Sequence, residues 1–259
     1  MFAAVYESCS TMITSWEDLI SKERSTELDV WPFIESLTGD VISRTAFGCS
    51  SNESRKIIQL IEEQGILSVY DPQPSNYIPG WSYLPTKKNR RVKEICREIE
   101  ELLTKMIQSR KQQMETEGIS KNDLLGTLLE SNMREIKAHD NQKGKGLTTH
   151  EVVQECKIFY LAGSETTSTL LVWTLISLCK HQTWQDRARA EVLRVFGKDG
   201  QLNLESLNQL KIVNMIICEV LRFYSPVFML IRKVHKDVQL GELFVPANTE
   251  LLLPLCIAL

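Results

Sequence analysis

Residues 158–179 form a run of 22 that carries one charge, Glu165. Thr148 and Glu151 precede it at the spacing of an S/T-x-x-E capping box, so the run belongs to a long helix over residues 148–181 with a defined start. A helix that is apolar nearly all round must be buried, in the core of a large domain or in a bilayer. Seven of residues 164–177 are Ser or Thr, and the fully uncharged part, residues 166–179, is only 14 long. Both facts favour the core of a helical domain over a membrane span.

The middle of this helix reads AGSETT, residues 162–167. A buried carboxylate is costly unless it is paired or works on something, which makes Glu165 the first candidate for function. Two readings stay open on these residues alone. Glu165 and Thr166 are a satisfied core pair, or Gly163 and the hydroxyls bonding back along the helix bend it and make room for a ligand.

The composition, 43% hydrophobic and 24% charged over 259 residues, is that of a globular chain. Thirty Lys+Arg against 33 Asp+Glu leave no basic field for nucleic acid. The seven cysteines include no CxxC pair, which suits a reducing compartment better than a disulfide framework or a zinc site. The first residues lack a signal-peptide pattern, and Phe2, Val5, Tyr6, Cys9, Met12, Ile13, Trp16, Leu19 and Ile20 repeat at helical spacing. The chain starts inside an amphipathic helix and stops in the apolar run LLLPLCIAL, so residues 1–259 read as a single partial domain cut at both ends.

In order, the pattern predicts helices over residues 29–47 and 54–70, then a Pro-rich loop. Half of the eight prolines fall in residues 72–85, together with Tyr77, Ile78, Trp81 and Tyr83. That loop packs on its own domain, or it lids a pocket or dips into a membrane surface. A long amphipathic helix carries Val92, Ile95, Cys96, Ile99, Leu102, Leu103, Met106 and Ile107 and ends near Gly118; the basic cluster at 87–91 before it is expected to be solvated. A short helix over 120–130, capped by Ser120 and Asp123, leads into a polar loop over 131–146. After the central helix, Thr183 and Asp186 cap a helix to Phe196, the glycines at 197 and 200 break it, and a last helix covers 210–224 before Pro226. Val238, Leu240, Gly241, Glu242, Leu243 and Val245 then read as a hairpin, and residues 250–253 as a further strand. The fold class is mainly α with a small β-sheet near the C-terminus.

A second constellation is EVLR, with Glu219 and Arg222 at i, i+3 on one helix face. The spacing recurs at Glu94/Arg97 and as a second EVLR at Glu191/Arg194, where it reads as a surface ion pair. Only Glu219 and Arg222 lie in a nearly all-apolar helix, followed by Arg232 and the hairpin.

AGSETT in a long central helix, then EVLRFYSP, then an Arg six residues after Pro226, a hairpin and a strand together resemble a cytochrome P-450, a haem-thiolate monooxygenase. YIPGWSYLPTKKNRRVKEI and LIRKVHKDVQLGELFVPANT resemble the plant clan that includes secologanin synthase-like enzymes. The resemblance implies that Glu165 and Thr166 are the acid and alcohol that pass protons toward dioxygen as it is reduced. It implies that Ala162 and Gly163 let the helix approach the haem, that Arg232 contacts a haem propionate, and that Glu219 and Arg222 form a buried structural ion pair. Phe159, Val227, Phe228, Met229 and Leu230 would line the substrate pocket. Dioxygen, a hydrophobic terpenoid or hormone-like substrate, NADPH-cytochrome reductase and the cytosolic face of the endoplasmic reticulum membrane are the implied partners and location.

The family's haem loop, F-x-x-G-x-R-x-C-x-G, has no match here. Cys49 and Cys256 each lack the Arg two before and the Gly two after. No thiolate ligand for the iron is therefore expected from this chain, and the chain alone is expected to be inactive. A non-catalytic helical remnant or binding module is the alternative.

Overall fold

A computed structural model describes residues 2–22, 27–48, 52–67, 78, 80–117, 123–138, 146–197 and 203–255. Its elements run α1 (Phe2–Lys22), α2 (Trp31–Phe47), α3 (Asn52–Gly65), α4 (Lys87–Glu117), α5 (Leu124–Ala138), α6 (Thr149–Lys180), α7 (Gln182–Phe196), α8 (Leu204–Leu207) and α9 (Lys211–Phe223), followed by β1 (Met229–Lys233), β2 (Val238–Leu240), β3 (Leu243–Val245) and β4 (Glu250–Pro254). The chain is mainly helical with small sheets at its end, as the pattern predicts. Two compact units divide it: Ala3–Leu28 with Glu35–Ser164, and Asp29–Ile34 with Glu165–Leu259.

The first unit is built on α4. Ile95, Ile99, Leu103 and Ile107 repeat every four residues along one ridge and are fully buried. Ile57 and Leu60 of α3, Leu125 and Leu129 of α5, Phe47 of α2 and Val152, Cys156 and Tyr160 of α6 close over that ridge. The rings of Phe47 and Tyr160 stack at 4.3 Å, nearly parallel. A buried ion pair ties three helices at one end: Arg110 Nη2 donates to Asp123 Oδ2 at 2.7 Å and to the carbonyl of Phe47 at 2.6 Å. Asp123 also receives the amide of Gly126 and so caps α5. Gly48, at φ 62, stands where any Cβ would run into Asp123.

The basic cluster at 87–91 forms the first turn of α4 and is not simply solvated. Asn89 is buried and donates to the carbonyls of Trp81 and Leu84, pinning a 3-10 turn over Trp81–Tyr83. Arg91 reaches Glu63 on α3 with two bonds of 2.6 and 2.7 Å, which holds the Glu63 carboxyl below its ordinary range. Tyr83 and Ile78 are exposed, while Tyr77 and most of the Pro-rich loop lie outside the described residues.

Other differences have physical causes. Helix α3 is described to Gly65 rather than through residue 70, and residues 68–70 lie outside the description. Residues 131–138, expected as loop, continue α5. Their polar residues Ser131, Arg134 and Glu135 are its solvated face, while Asn132 is buried and exchanges two hydrogen bonds with the backbone of Leu147. The expected caps at Ser120, Gly118 and Gly200 lie outside the described residues. Helix α7 begins at Gln182, directly after α6, so Thr183 is already inside it and Asp186 instead pairs with Arg189.

In the second unit the hairpin β2–β3 forms with Gly241 at φ 60 in its turn. Strand β1 was not expected. It pairs antiparallel with β4, placing Ile231 opposite Leu252 and Arg232 opposite Leu251. Val238, Leu240 and Leu243 of the hairpin are exposed, and Val245 is buried.

Candidate functional site

The capping box at the start of α6 forms as predicted. Thr148 donates its amide and its hydroxyl to Glu151 Oε2, both at 2.7 Å, and its hydroxyl oxygen accepts the Glu151 amide. Asn132 holds the preceding turn, so α6 enters in a fixed direction. From there it runs uninterrupted to Lys180. Two of its hydroxyls bond back along the helix: Ser168 donates to the carbonyl of Glu165 and Thr174 to that of Leu170.

Helix α6 has a buried ridge at Val152, Cys156, Tyr160, Ser164 and Ser168, spaced four residues apart. Glu165 lies off that ridge and is exposed, which corrects the expectation of a buried carboxylate. Its face also carries Ile158, Leu161 and Ala162 at i−7, i−4 and i−3, all exposed; Ile158 is 57% open. An apolar sequence on every side of a helix does not say which side is covered. Among the described residues, that face is an uncovered apolar stripe ending in an acid. Thr166 next to it is half-buried.

Gly163 has a packing partner in its own unit. An added Cβ would meet Ile42 of α2 at 2.6 Å, so the missing side chain is used for helix–helix contact. One helical position further, Ser164 shares a hydrogen bond of 3.2 Å with Thr38 of α2. Phe159, expected to line a substrate pocket, packs partly buried against the core.

Glu219 and Arg222 pair as predicted, through two bonds of 2.6 and 2.8 Å, and Arg222 covers the ring of Phe223. The pair is not buried: its side chains are 58% and 39% exposed. Neighbouring Leu221, Phe223 and Tyr224 are exposed too, because the apolar helix α9 buries only Val220 among its residues. The pair edges an open groove of about 850 Å³ that Trp184, Met215, Ile216 and Phe223 also line. The Arg222 hydrogen bond keeps the Glu219 carboxyl below its ordinary range.

The second EVLR differs most from expectation. Glu191 does pair with Arg194, but loosely, at 4.0 Å, and it is buried rather than on the surface. Its carboxylate receives the backbone amides of Lys211, Ile212 and Val213 at 2.8–3.1 Å. No spacing within one helix could reveal this, since the partner is the amino end of α9. At Glu94/Arg97 the helix also re-pairs, Glu94 with Arg91 and Arg97 with Glu101.

Arg232 is exposed in β1 and donates to the carbonyl of Ile231. No carboxylate pairs with it among the described residues. Val227 and Phe228 are exposed, and Met229 and Leu230 are half-buried in β1. The stripe Ile158, Leu161 and Ala162 suits a flat apolar ring, and Arg232 suits a carboxylate substituent, so the side chains present are of the kinds a haem would require. Of the cysteines, Cys9, Cys96, Cys156, Cys179 and Cys218 are free thiols, and Cys49 and Cys256 lie outside the described residues. No described helix is long and apolar enough to cross a membrane.

Comparison with known proteins points one way. A family model described as Cytochrome P450 matches residues 1–259. A cytochrome P450 of Panax ginseng is 51% identical over 256 residues, which are 98% of this chain and 49% of the relative. Secologanin synthase 2 of Catharanthus roseus is 48% identical over 253 residues, 98% of this chain and 47% of the relative. Among solved structures, a zebra fish cytochrome P450 with progesterone superposes with a TM-score of 0.81 at 24% identity, covering 98% of this chain and 56% of that one. The chain spans about half the length of the curated relatives it matches.

Proposed function

The chain belongs to the cytochrome P450 family, and we propose that the whole protein is a haem-dependent monooxygenase that hydroxylates a hydrophobic small molecule with dioxygen and supplied electrons. The observation that carries this reading is the stripe Ile158, Leu161 and Ala162 on α6 with Glu165 at its end. Haem supplies the redox-active iron at which dioxygen is reduced. Ala162 and Leu161 offer the apolar wall for its ring, Gly163 lets α6 seat closely, and Arg232 holds a propionate. Glu165, open to solvent, takes up protons and hands them toward Thr166, whose hydroxyl keeps a water in line inside a dry pocket.

Val227 and Phe228, with Met229 and Leu230 behind them and Phe159 on α6, are the apolar contacts for substrate. The secologanin synthases among the relatives support a specialised plant metabolite as the substrate class, and the substrate proposed within it is a terpenoid or hormone-like molecule. NADPH-cytochrome reductase is the proposed electron donor, and the cytosolic face of the endoplasmic reticulum membrane the proposed location. Residues 1–259 are in this reading one partial domain of that enzyme. A second reading, a non-catalytic helical module, is favoured by one observation: no cysteine of this chain stands in the haem-loop pattern.

A carbon monoxide difference spectrum of reduced protein separates them. The whole protein is expected to give a thiolate-type Soret band and residues 1–259 alone none. A thiolate band from residues 1–259 alone overturns the expected inactivity, and its absence from the whole protein overturns the haem reading.

A further inference from the structure

Glu191 is 4% exposed, although Val192 and Leu193 beside it on α7 are open to solvent. Its oxygens accept three successive amides: Lys211 at 3.0 Å, Ile212 at 2.8 and 3.0 Å, and Val213 at 3.1 Å. These are the first three residues of α9, whose amides have no carbonyl of their own helix to bond. Leu210, at the cap position, supplies no side-chain bond. The capping carboxylate therefore comes from another helix, and its charge meets the positive end of the α9 dipole. Among the described residues, Arg194 pairs with it loosely, at 4.0 Å from an exposed side chain, so the amides dominate.

The far end of α9 is held as well. Tyr224 stacks on Trp173 of α6 at 4.2 Å with rings parallel to within 1°. Ser225 then turns the chain by donating to the carbonyl of Val227, and β1 begins two residues later with Arg232 in it. Between the two anchors lie Glu219 and Arg222. Hydrogen bonds to a carboxylate tolerate only a few tenths of an ångström, whereas a slip of α9 by one residue moves it by about 1.5 Å and breaks all of these bonds.

We propose that Glu191 is a positioning residue for the haem site: by capping α9 from α7 it sets the axial position of α9, and with it the placement of the strand that presents Arg232. This rests on the haem reading above. Nothing in it requires Glu191 to touch haem or substrate.

The test uses the whole protein with E191A, E191Q and R194A, read by amide hydrogen exchange and by the carbon monoxide difference spectrum at equal haem content. In E191A, exchange over residues 211–220 is expected to rise at least about tenfold, the loss of one or more charge-assisted bonds, while residues 95–107 stay as in wild type. The same variant should shift the Soret band from the thiolate-type position toward the non-thiolate one. E191Q, which keeps an acceptor oxygen but no charge, should fall between, and R194A should match wild type. Unchanged exchange in α9, or a rise shared equally by residues 95–107, overturns the cap as a local device. Loosened α9 with an unshifted Soret band overturns the positioning role. A wild-type protein that takes up no haem overturns the haem reading and the positioning role together, while the exchange arm still reports whether the cap exists.

Discussion

Gly163 of α6 faces Ile42 of α2 so closely that a Cβ built on it would stand 2.6 Å from Ile42 Cδ1 and 2.9 Å from Cγ1. Replacing a helical glycine by alanine ordinarily stabilises by about 0.5–1 kcal/mol, while overpacking costs about 1–3 kcal/mol. Because the nearer overlaps include Cγ1, which rotation of the terminal methyl does not relieve, the overlap should win. G163A is expected to lower unfolding stability by about 1 kcal/mol, and I42A/G163A should be more stable than I42A, the sign reversing once the obstacle is gone. Denaturant midpoints of the four proteins check this. A stabilising G163A in the Ile42 background refutes it.

The Arg110–Asp123 pair is 7% exposed on both sides and joins α2, α4 and α5. Removing one partner strands a buried charge, so D123A is expected to cost about 3–5 kcal/mol. The loss includes the cap on Gly126. R110M with D123A should recover part of it, because no unpaired charge remains. Equal stability of the single and double variants would show that the cap, and not the charge, carries the effect.

Burial pushes the Cys156 thiol up to about 12, whereas Cys179 and Cys218 are exposed. A thiolate-directed reagent at pH 8 should label Cys179 and Cys218 within minutes and Cys156 only after the first unit unfolds. Peptide mapping of the labelled protein decides it. Early labelling of Cys156 would mean that the α4–α6 core opens locally.

Glu191 is held below its ordinary range: burial pushes its carboxyl up, but the amides of Ile212, Val213 and Lys211 outweigh that. A carboxylate whose folded value is depressed contributes stability that is present above its unfolded value, here 4.5, and is lost as pH falls through the folded value. The exchange protection of α9 in wild type should therefore exceed that in E191Q at pH 7 and converge with it progressively as pH drops below 4.5. A difference that persists undiminished to pH 3 would show that the carboxylate's charge plays no part.

Helix existence was legible wherever one face repeats, as in Ile95, Ile99, Leu103 and Ile107, because burial there follows from spacing along a single element. The hairpin was legible for the same reason, with Gly241 supplying its turn. What spacing cannot show is which partner an element meets. Glu191 and Glu219 sit in the identical tetrapeptide EVLR, yet one caps a distant helix and the other stays with its own arginine in solvent. Strand β1 hid for a related reason: its pairing with β4 depends on a segment 20 residues downstream. Glu165 was singled out by its apolar neighbours, and these turned out to share an uncovered face with it.

That uncovered face makes the role proposed for Glu165 separable from the fold. Glu165 is exposed and Thr166 half-buried. E165A should leave the unfolding midpoint within about 0.5 kcal/mol of wild type, as surface changes do. In the whole protein the same change should slow product formation by about 100-fold, the scale of a lost proton-transfer group. Electrons consumed per product should rise, since proton delivery and not electron supply is impaired. E165D keeps an acid on a shorter stem and should recover much of the loss, whereas E165Q should not. T166V, which keeps the shape and removes the hydroxyl, should resemble E165A if the two residues act in series, and E165A/T166V should then be little worse than either alone. Losses that multiply in the double variant would sink the shared relay, and an E165A protein with wild-type turnover would remove Glu165 from it.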